Sequence, residues 1–345
     1  MKNKKIREGV AYEDVLLVPQ YSNIKSREEV SIASSLEGPY ATLRLGIPVI
    51  ASPMDTISEA QMGIAMWEAG GLAVVHRYNT IEQQTALLDE IIVGANANAA
   101  AAIGATGDYL ERASALYEGG VRILCVDVAH GHHIHMKRAL GELRATFGDR
   151  VHIMAGNVAT LEGYNDLVDW GANSVRCNIG GGSICSTRVQ TGHGVPGLQT
   201  IMDCAAARRG APIIADGGLR NSGDIVKALA AGADFVMLGS LLAGTDETPG
   251  DVINSRHGKY KTYRGMASKD AQLDWRGKTA SLEGIATTVR CKGPVGDVLA
   301  VLERGVRSGL SYSGARTIGQ LQAKARFMRQ TVSGQSESGT HILKS

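Results

Sequence analysis

The chain has 345 residues, 44% of them apolar and 20% charged, with 43 glycines and a formal net charge of +2. Such a length and composition describe a globular chain of one large α/β domain or two modest ones. The charge is too small, and the basic residues too scattered, to suggest a nucleic-acid or membrane partner, while a small anionic substrate fits.

In chain order, the basic residues of 1–7 are followed by Tyr12-Glu-Asp14 rather than by an apolar core, so they do not read as an export signal. No apolar run approaches the roughly 18 residues of a membrane span, and the expected location is cytoplasmic. Eight β-rich runs follow, at 47–54, 71–76, 99–105, 123–129, 152–158, 174–179, 212–216 and 235–238. Helix-type segments lie between them at 57–69, 108–118, 136–147, 161–170, 198–209 and 222–231, several ending in Gly-Gly or Gly-Ala stops. Near-continuously apolar strands alternating with helices predict a single-domain α/β fold, a (β/α)₈ TIM barrel over 1–330. The stretch 246–294 is long, polar and without barrel rhythm, which predicts a lid over the site. Residues 298–308 then supply a closing helix, and the Ser- and Gly-rich stretch 331–345 reads as a flexible tail.

A barrel gathers its chemistry beyond the carboxyl ends of its strands. Met54-Asp55, His76-Arg77, 127–130, Gly156-Asn157, 180–188, 216–218 and Gly239-Ser240 all fall there. The loop Gly180-Gly-Gly-Ser-Ile-Cys-Ser-Thr-Arg188 offers backbone groups unobstructed by Cβ atoms, a hydroxyl for a phosphate at Ser183, and a thiol at Cys185 with Thr187 and Arg188 close by. Asp216-Gly-Gly218 and Gly239-Ser240 end the seventh and eighth strands, where barrels build phosphate sites, and Asp216 could accept from a ribose diol. Asp127 is an acid in an apolar run and needs a partner or an opening. The other cysteines, Cys125, Cys177, Cys204 and Cys291, have no C-x-x-C spacing and read as free thiols. His130, His132, His133 and His135 lack the H-E-x-x-H pattern and read as loop and helix-start surface rather than a metal site. Glu283 and Lys292 lie in the lid, where residue type alone gives solvated surface.

The cysteine loop resembles that of the IMP dehydrogenase and GMP reductase family. Asp14-Val-Leu-Leu-Val-Pro19, Ser52-Pro-Met-Asp-Thr56, Ala155-Gly-Asn-Val158, Asp216-Gly-Gly218, Met237-Leu-Gly-Ser240 and Tyr263-Arg-Gly-Met266 resemble its other signatures, in order and over nearly the whole chain. The resemblance implies that Cys185 adds to a purine ring carbon, that a hydride passes between this adduct and a nicotinamide, and that Thr187 assists proton transfer. It implies a substrate site at Ser52, Met54, Asn157, Arg176, Ser183, Asp216, Gly217, Gly218, Gly239, Ser240, Tyr263, Gly265 and Met266. A cofactor site follows at Asp127, Ala129, Asn178 and Gly180, and a monovalent cation, usually potassium, on carbonyls of Gly180, Gly182 and Cys185. A homotetramer is the family's usual assembly.

The two branches of the family differ in what answers the thiol. The dehydrogenase hydrolyses its adduct with an Arg-Tyr pair in the lid, and no such pair occurs between Met266 and Pro294. Trp275-Arg276-Gly277 is the nearest approach, whereas Glu283-Gly284 resembles the reductase's Glu-Gly, whose glutamate works with the threonine on leaving ammonia. No regulatory insert fits between the second and third strands. These features imply NADPH-dependent reductive deamination of GMP to IMP. Asp127-Val-Ala-His-Gly-His132 and Gly239-Ser-Leu-Leu-Ala-Gly-Thr245 instead resemble bacterial dehydrogenases, which keeps NAD-dependent oxidation of IMP to XMP as the alternative. The sequence also departs from both branches at Asn178 and Gly181, where glycine and usually proline are expected, so a modified purine nucleotide such as a deaza analogue is a third reading. A binding paralogue without catalysis is the non-enzymatic one.

Overall fold

The computed structural model describes residues 6–36, 42–207, 209–280 and 282–339. Eight parallel strands close into a barrel: β1 (Val49–Ala51), β2 (Leu72–Val75), β3 (Ala100–Ile103), β4 (Ile123–Asp127), β5 (His152–Val158), β6 (Ser174–Cys177), β7 (Ile213–Asp216) and β8 (Phe235–Leu238). Neighbours in sequence are neighbours in the sheet, and β8 pairs with β1 through Val236↔Val49 and Leu238↔Ala51.

The strands are apolar throughout because both faces are buried, and their period of two sorts the residues between two cores. Leu72, Val74, Ala100, Ala102, Cys125, Met154, Ile214 and Met237 fill the barrel. Ala73, Val75, Ala101, Ile103, Val126 and Ala215 face the outer layer. A hairpin of Ser34–Leu36 and Leu43–Leu45 lends Leu36 and Leu45 to the inner cluster. That leaves the opposite mouth, at the strands' carboxyl ends, as the open one.

The outer layer consists of Ala60–Glu68, Ile81–Asp89, Tyr109–Glu118, Ile134–Phe147, Leu161–Asp169, Gly197–Ala205, Ser222–Ala230 and Val295–Tyr312, with one of these helices after each strand. Side-chain caps start several of them: Thr80 accepts from the Gln83 amide, Thr160 from Gly163 and Asn221 from Asp224. Gly232 stops the seventh with φ +116°, and an added Cβ there would lie 2.4 Å from that of Ala205, so conformation and space both require glycine.

All eight expected strands are present, two with the expected bounds (152–158 and 235–238) and six somewhat shorter than the apolar runs. The helix Ile81–Asp89 has no counterpart among the expected segments, for a physical reason. Its core-facing Gln84 is fully buried and donates to the carbonyls of His76 (3.0 Å) and Ala102 (2.9 Å), so a polar residue occupies a position where periodicity seeks an apolar one. The stretch 246–294 is also more ordered in type than its polarity suggests. Ile253–Ser255, Gly258–Arg264 and Ala286–Arg290 form a three-stranded antiparallel sheet, joined by the helix Lys269–Arg276. Of the expected flexible tail, Val332–Glu337 form a short helix, and 340–345 lie outside the described residues. Phe327–Arg329 pair antiparallel with Val15–Leu17, tying the two ends of the chain together. Among the described residues, no helix is long and apolar enough to cross a membrane.

Candidate active site

Every residue expected from the sequence to bind or react, Thr187 apart, lines one cleft of 320 Å³ at the open mouth of the barrel. Thr187 stands immediately behind Cys185. A larger cavity of 480 Å³, lined by residues such as Glu8, Thr160 and Pro196, contains no thiol and none of the unsatisfied buried polar atoms described below. The reactive groups therefore locate the site, and size does not.

Cys185 is exposed, whereas Cys125, Cys177 and Cys204 are buried, and burial pushes the Cys125 thiol up to about 12. The Cys185 sulfur lies 3.1 Å from the Thr187 hydroxyl, which donates to Glu283 Oε2 at 2.8 Å. A hydroxyl has one proton, so with that proton directed at the carboxylate the Thr187 oxygen is left to accept from the thiol. The result is a three-membered proton path from sulfur to carboxylate.

Backbone contacts bring Glu283 there. The Ser186 amide donates to the Glu283 carbonyl (2.9 Å), the Ile285 amide to the Ile184 carbonyl (3.0 Å), and Cys185 bridges to Gly284. The root of this segment is tied as well, with Lys261 Nζ donating to the carbonyls of Asp246 and Thr248 and Lys292 Nζ to those of Ser240 and Leu241. Partial desolvation lowers the Lys292 pKa, and its ammonium braces the end of β8. Arg276 lies elsewhere, its guanidinium 5.8 Å from the centre of the Tyr78 ring, on which Trp275 also stacks.

The glycines after β7 bring two loops together. Gly217 and Gly218 both have φ near +76°, and a Cβ on Gly218 would lie 2.8 Å from the Gly181 carbonyl. Ser183 and Tyr263 place their hydroxyls 3.4 Å apart beside them, and burial raises the Tyr263 phenol so that it stays protonated as a donor. A Cβ on Gly239 would approach Tyr263 and Met54 at 3.2 Å, which keeps that backbone open. Met266 stands over the first strand's loop, its sulfur accepting from the Asp55 amide at 3.3 Å, and Arg264 pairs with Asp55 at 2.7 Å and with Asp274.

The floor of the cleft is an ion-paired cluster. Asp216, expected to accept from a ribose, takes Arg176 Nη2 (2.7 Å) and Asn157 Nδ2 (2.8 Å) on one and the same oxygen, Oδ2. Asp127, expected to need a partner or an opening, has a partner in Arg176 Nη1 at 2.6 Å. Arg176 is 5% exposed. Burial alone would lower its pKa, but Asp216, Cys125 and Asp127 reverse this and hold it well above the ordinary guanidinium value. Sequence spacing does not show the triad, because its members come from β4, β6 and β7 and meet only when the barrel closes. Arg176→Met is expected to lower unfolding free energy by about 3 kcal/mol, since it strands two carboxylates in a poorly solvated place. Urea titration checks this, and an unchanged midpoint would mean that the carboxylates have other support.

Four buried side-chain atoms around the cleft have no hydrogen-bond partner among the described residues: Asp55 Oδ1, Arg77 Nε, Asn157 Oδ1 and Asn178 Oδ1. Such atoms are costly unless something else pairs with them. Arg77 and Tyr78 line the cleft but are not among the expected site residues. Their signal is the strand end at His76-Arg77. The histidine cluster is accounted for by ordinary contacts, with His132 2.7 Å from Asp166 and its ring against Trp170, and His133 capping its helix. No metal-binding cluster of His, Cys, Asp and Glu occurs among the described residues.

Residues 9–341 match the profile of the IMP dehydrogenase / GMP reductase domain. Inosine-5'-monophosphate dehydrogenase of Nitrosopumilus maritimus is 33% identical, aligned over 97% of this chain and 98% of that protein. GMP reductase of Leishmania major is 32% identical over 97% of each. Among solved structures, GMP reductase from Trypanosoma brucei in complex with guanosine 5'-monophosphate superposes with a TM-score of 0.90 at 32% identity, covering 97% of this chain and 98% of that one.

Proposed function

Because the chain belongs to the IMP dehydrogenase and GMP reductase family of oxidoreductases, we propose that it is the reductase, converting GMP to IMP and ammonia at the expense of NADPH. The observation that carries this reading is the contact between Thr187 and Glu283, 2.8 Å long and continuous with the Cys185 sulfur. A carboxylate at that point can take a proton from a thiol and return it to a leaving amine. An arginine over Tyr78 does neither.

The residues account for the protons. Cys185 attacks the guanine carbon that bears the amino group, and its thiol proton passes through Thr187 to Glu283. When the carbon–nitrogen bond breaks, that proton returns along the same path to the departing ammonia, leaving the purine bonded to sulfur. Bound NADPH would supply the hydride that replaces sulfur at that carbon. The carbon–sulfur bond breaks, IMP forms, and the Cys185 thiolate is reprotonated from water. Ser183, Gly217, Gly218, Gly239, Ser240 and Tyr263 hold the 5'-phosphate through backbone amides and hydroxyls. Asp216 holds the ribose, sharing its carboxylate with Arg176, while Ser52, Met54, Asn157, Gly265 and Met266 enclose the base.

On the cofactor side, Asp127, Ala129 and Gly180 line the same cleft, together with Arg77, whose Nε has no hydrogen-bond partner among the described residues, and a charged donor suits a dinucleotide. Asn178 also lines the cleft, with its amide N–H group turned to the carbonyls of Asp216 and Gly217. The carbonyls of Gly180, Gly182 and Cys185 suit a potassium ion, since Gly180 has φ +78° and Gly182 O keeps a second lone pair beyond the Cys185 amide it already accepts. A cytoplasmic homotetramer completes the proposal.

The motifs after β4 and β8, with their dehydrogenase character, support the second reading, oxidation of IMP by NAD. Spectrophotometry separates the two. The proposal expects loss of NADPH absorbance with GMP at a rate at least about 100-fold above NADH formation from IMP and NAD, a gap of about 3 kcal/mol in transition-state stabilisation. The reverse ratio would assign the chain to the dehydrogenase branch, and activity on a deaza-GMP alone would favour the modified substrate.

A further inference from the structure

The two positions at which the cysteine loop departs from its family, Asn178 and Gly181, touch each other. Asn178 follows β6 and is 4% exposed. Its Nδ2 donates to the carbonyls of Asp216 (2.9 Å) and Gly217 (3.3 Å), which fixes the orientation of the amide and leaves Oδ1 without a partner. The amide occupies the place of a side chain at residue 181. A Cβ there would lie 2.3 Å from Asn178 Nδ2 and 2.7 Å from Oδ1. Gly181 is not among the glycines with positive φ, and the obstacle to a side chain there is the space taken by the Asn178 amide. Its carbonyl in turn abuts Gly218.

Resting on the functional reading above, we infer that Asn178 is a positioning residue: its amide, seated in the gap left by Gly181, locks the thiol loop to the Gly217–Gly218 loop and thereby sets affinity for the 5'-phosphate end of the nucleotide. Through these contacts Asn178 acts on substrate binding by way of the two loops. Its effect belongs in the KM for the nucleotide, while the Cys185, Thr187 and Glu283 path is left intact and kcat changes little. Neither residue is replaceable alone. Filling position 181 drives the amide off the carbonyls, and removing the amide frees the loops from each other.

A double-mutant cycle of Gly181→Ala and Asn178→Ala tests this, read as GMP affinity from protection of Cys185 against iodoacetamide, as KM and kcat, and as melting temperature without nucleotide. Gly181→Ala is expected to weaken GMP binding about tenfold or more, the scale of an overpacked contact. Asn178→Ala raises KM for GMP with kcat changed less than about threefold, and the double variant, with no amide to clash, binds GMP within about threefold of Asn178→Ala. Additive losses, a harmless Gly181→Ala, or an equal fall in kcat for Asn178→Ala would overturn the inference. If Gly181→Ala does not fold, recovery of folding and of affinity in the double variant supports the joint, and failure of both variants overturns it. Wild-type protein that binds neither GMP nor IMP would remove the functional reading, and with it the claim on affinity. The melting temperatures would then still decide whether the two residues interlock.

Discussion

Cys185→Ala is expected to abolish GMP-dependent oxidation of NADPH, with a loss of at least about 10³-fold in kcat, while GMP still binds within a fewfold of wild type. Two features make this effect the largest. The reaction as proposed has no route to ammonia that bypasses the carbon–sulfur bond, and no other cysteine can substitute, since Cys125, Cys177 and Cys204 are buried and Cys291 does not line the cleft. Binding persists because Ser183, Tyr263 and the Gly217–Gly218 backbone carry the phosphate independently of the sulfur. Cys185→Ser is the stricter comparison. It keeps a hydroxyl within reach of Thr187 but offers a far poorer nucleophile, and it too should turn over no GMP. Turnover within tenfold of wild type in either variant would remove the covalent step.

Glu283→Gln is expected to reduce kcat for GMP by about 10²-fold to 10³-fold with KM nearly constant, the range for removal of one acid–base group. The substituted side chain would still accept the Thr187 hydrogen bond through its amide oxygen, and the backbone contacts of 283–285 with 184–186 do not involve the side chain, so the loop keeps its place. Only the ability to gain and lose a proton disappears. Part of the loss should be specific to deamination. If the enzyme is supplied with a purine already carrying a good leaving group at the same carbon, no proton has to follow it, and Glu283→Gln should recover the share of its loss that belongs to protonating ammonia while keeping the share that belongs to accepting the thiol proton. An equal deficit on both substrates would mean that Glu283 does not deliver the proton to ammonia.

How far the sequence reveals this depends on where each residue's partners come from. The eight barrel strands are legible because a doubly buried strand must be apolar throughout, and 47–54 or 235–238 could be little else. The helix Ile81–Asp89 is not, because its buried Gln84 serves the carbonyls of His76 and Ala102 from two other elements. The cysteine loop is legible as a unit because its thiol, hydroxyls and glycines are adjacent in sequence. Glu283, about a hundred residues away and on a polar segment, can be singled out only through resemblance, and residue type alone leaves it as surface. The Arg176 triad and the Asn178–Gly181 joint lie at the other extreme. In each, the deciding fact is a distance between strands or loops that no local pattern encodes.

The most direct test of reductive deamination is to count its products: incubate the protein with GMP and NADPH, and measure ammonia, IMP and NADP⁺ in the same sample. The account expects all three in a 1:1:1 ratio, with none formed by Cys185→Ala. Ammonia absent from that mixture, with XMP and NADH appearing instead from IMP and NAD, would contradict it.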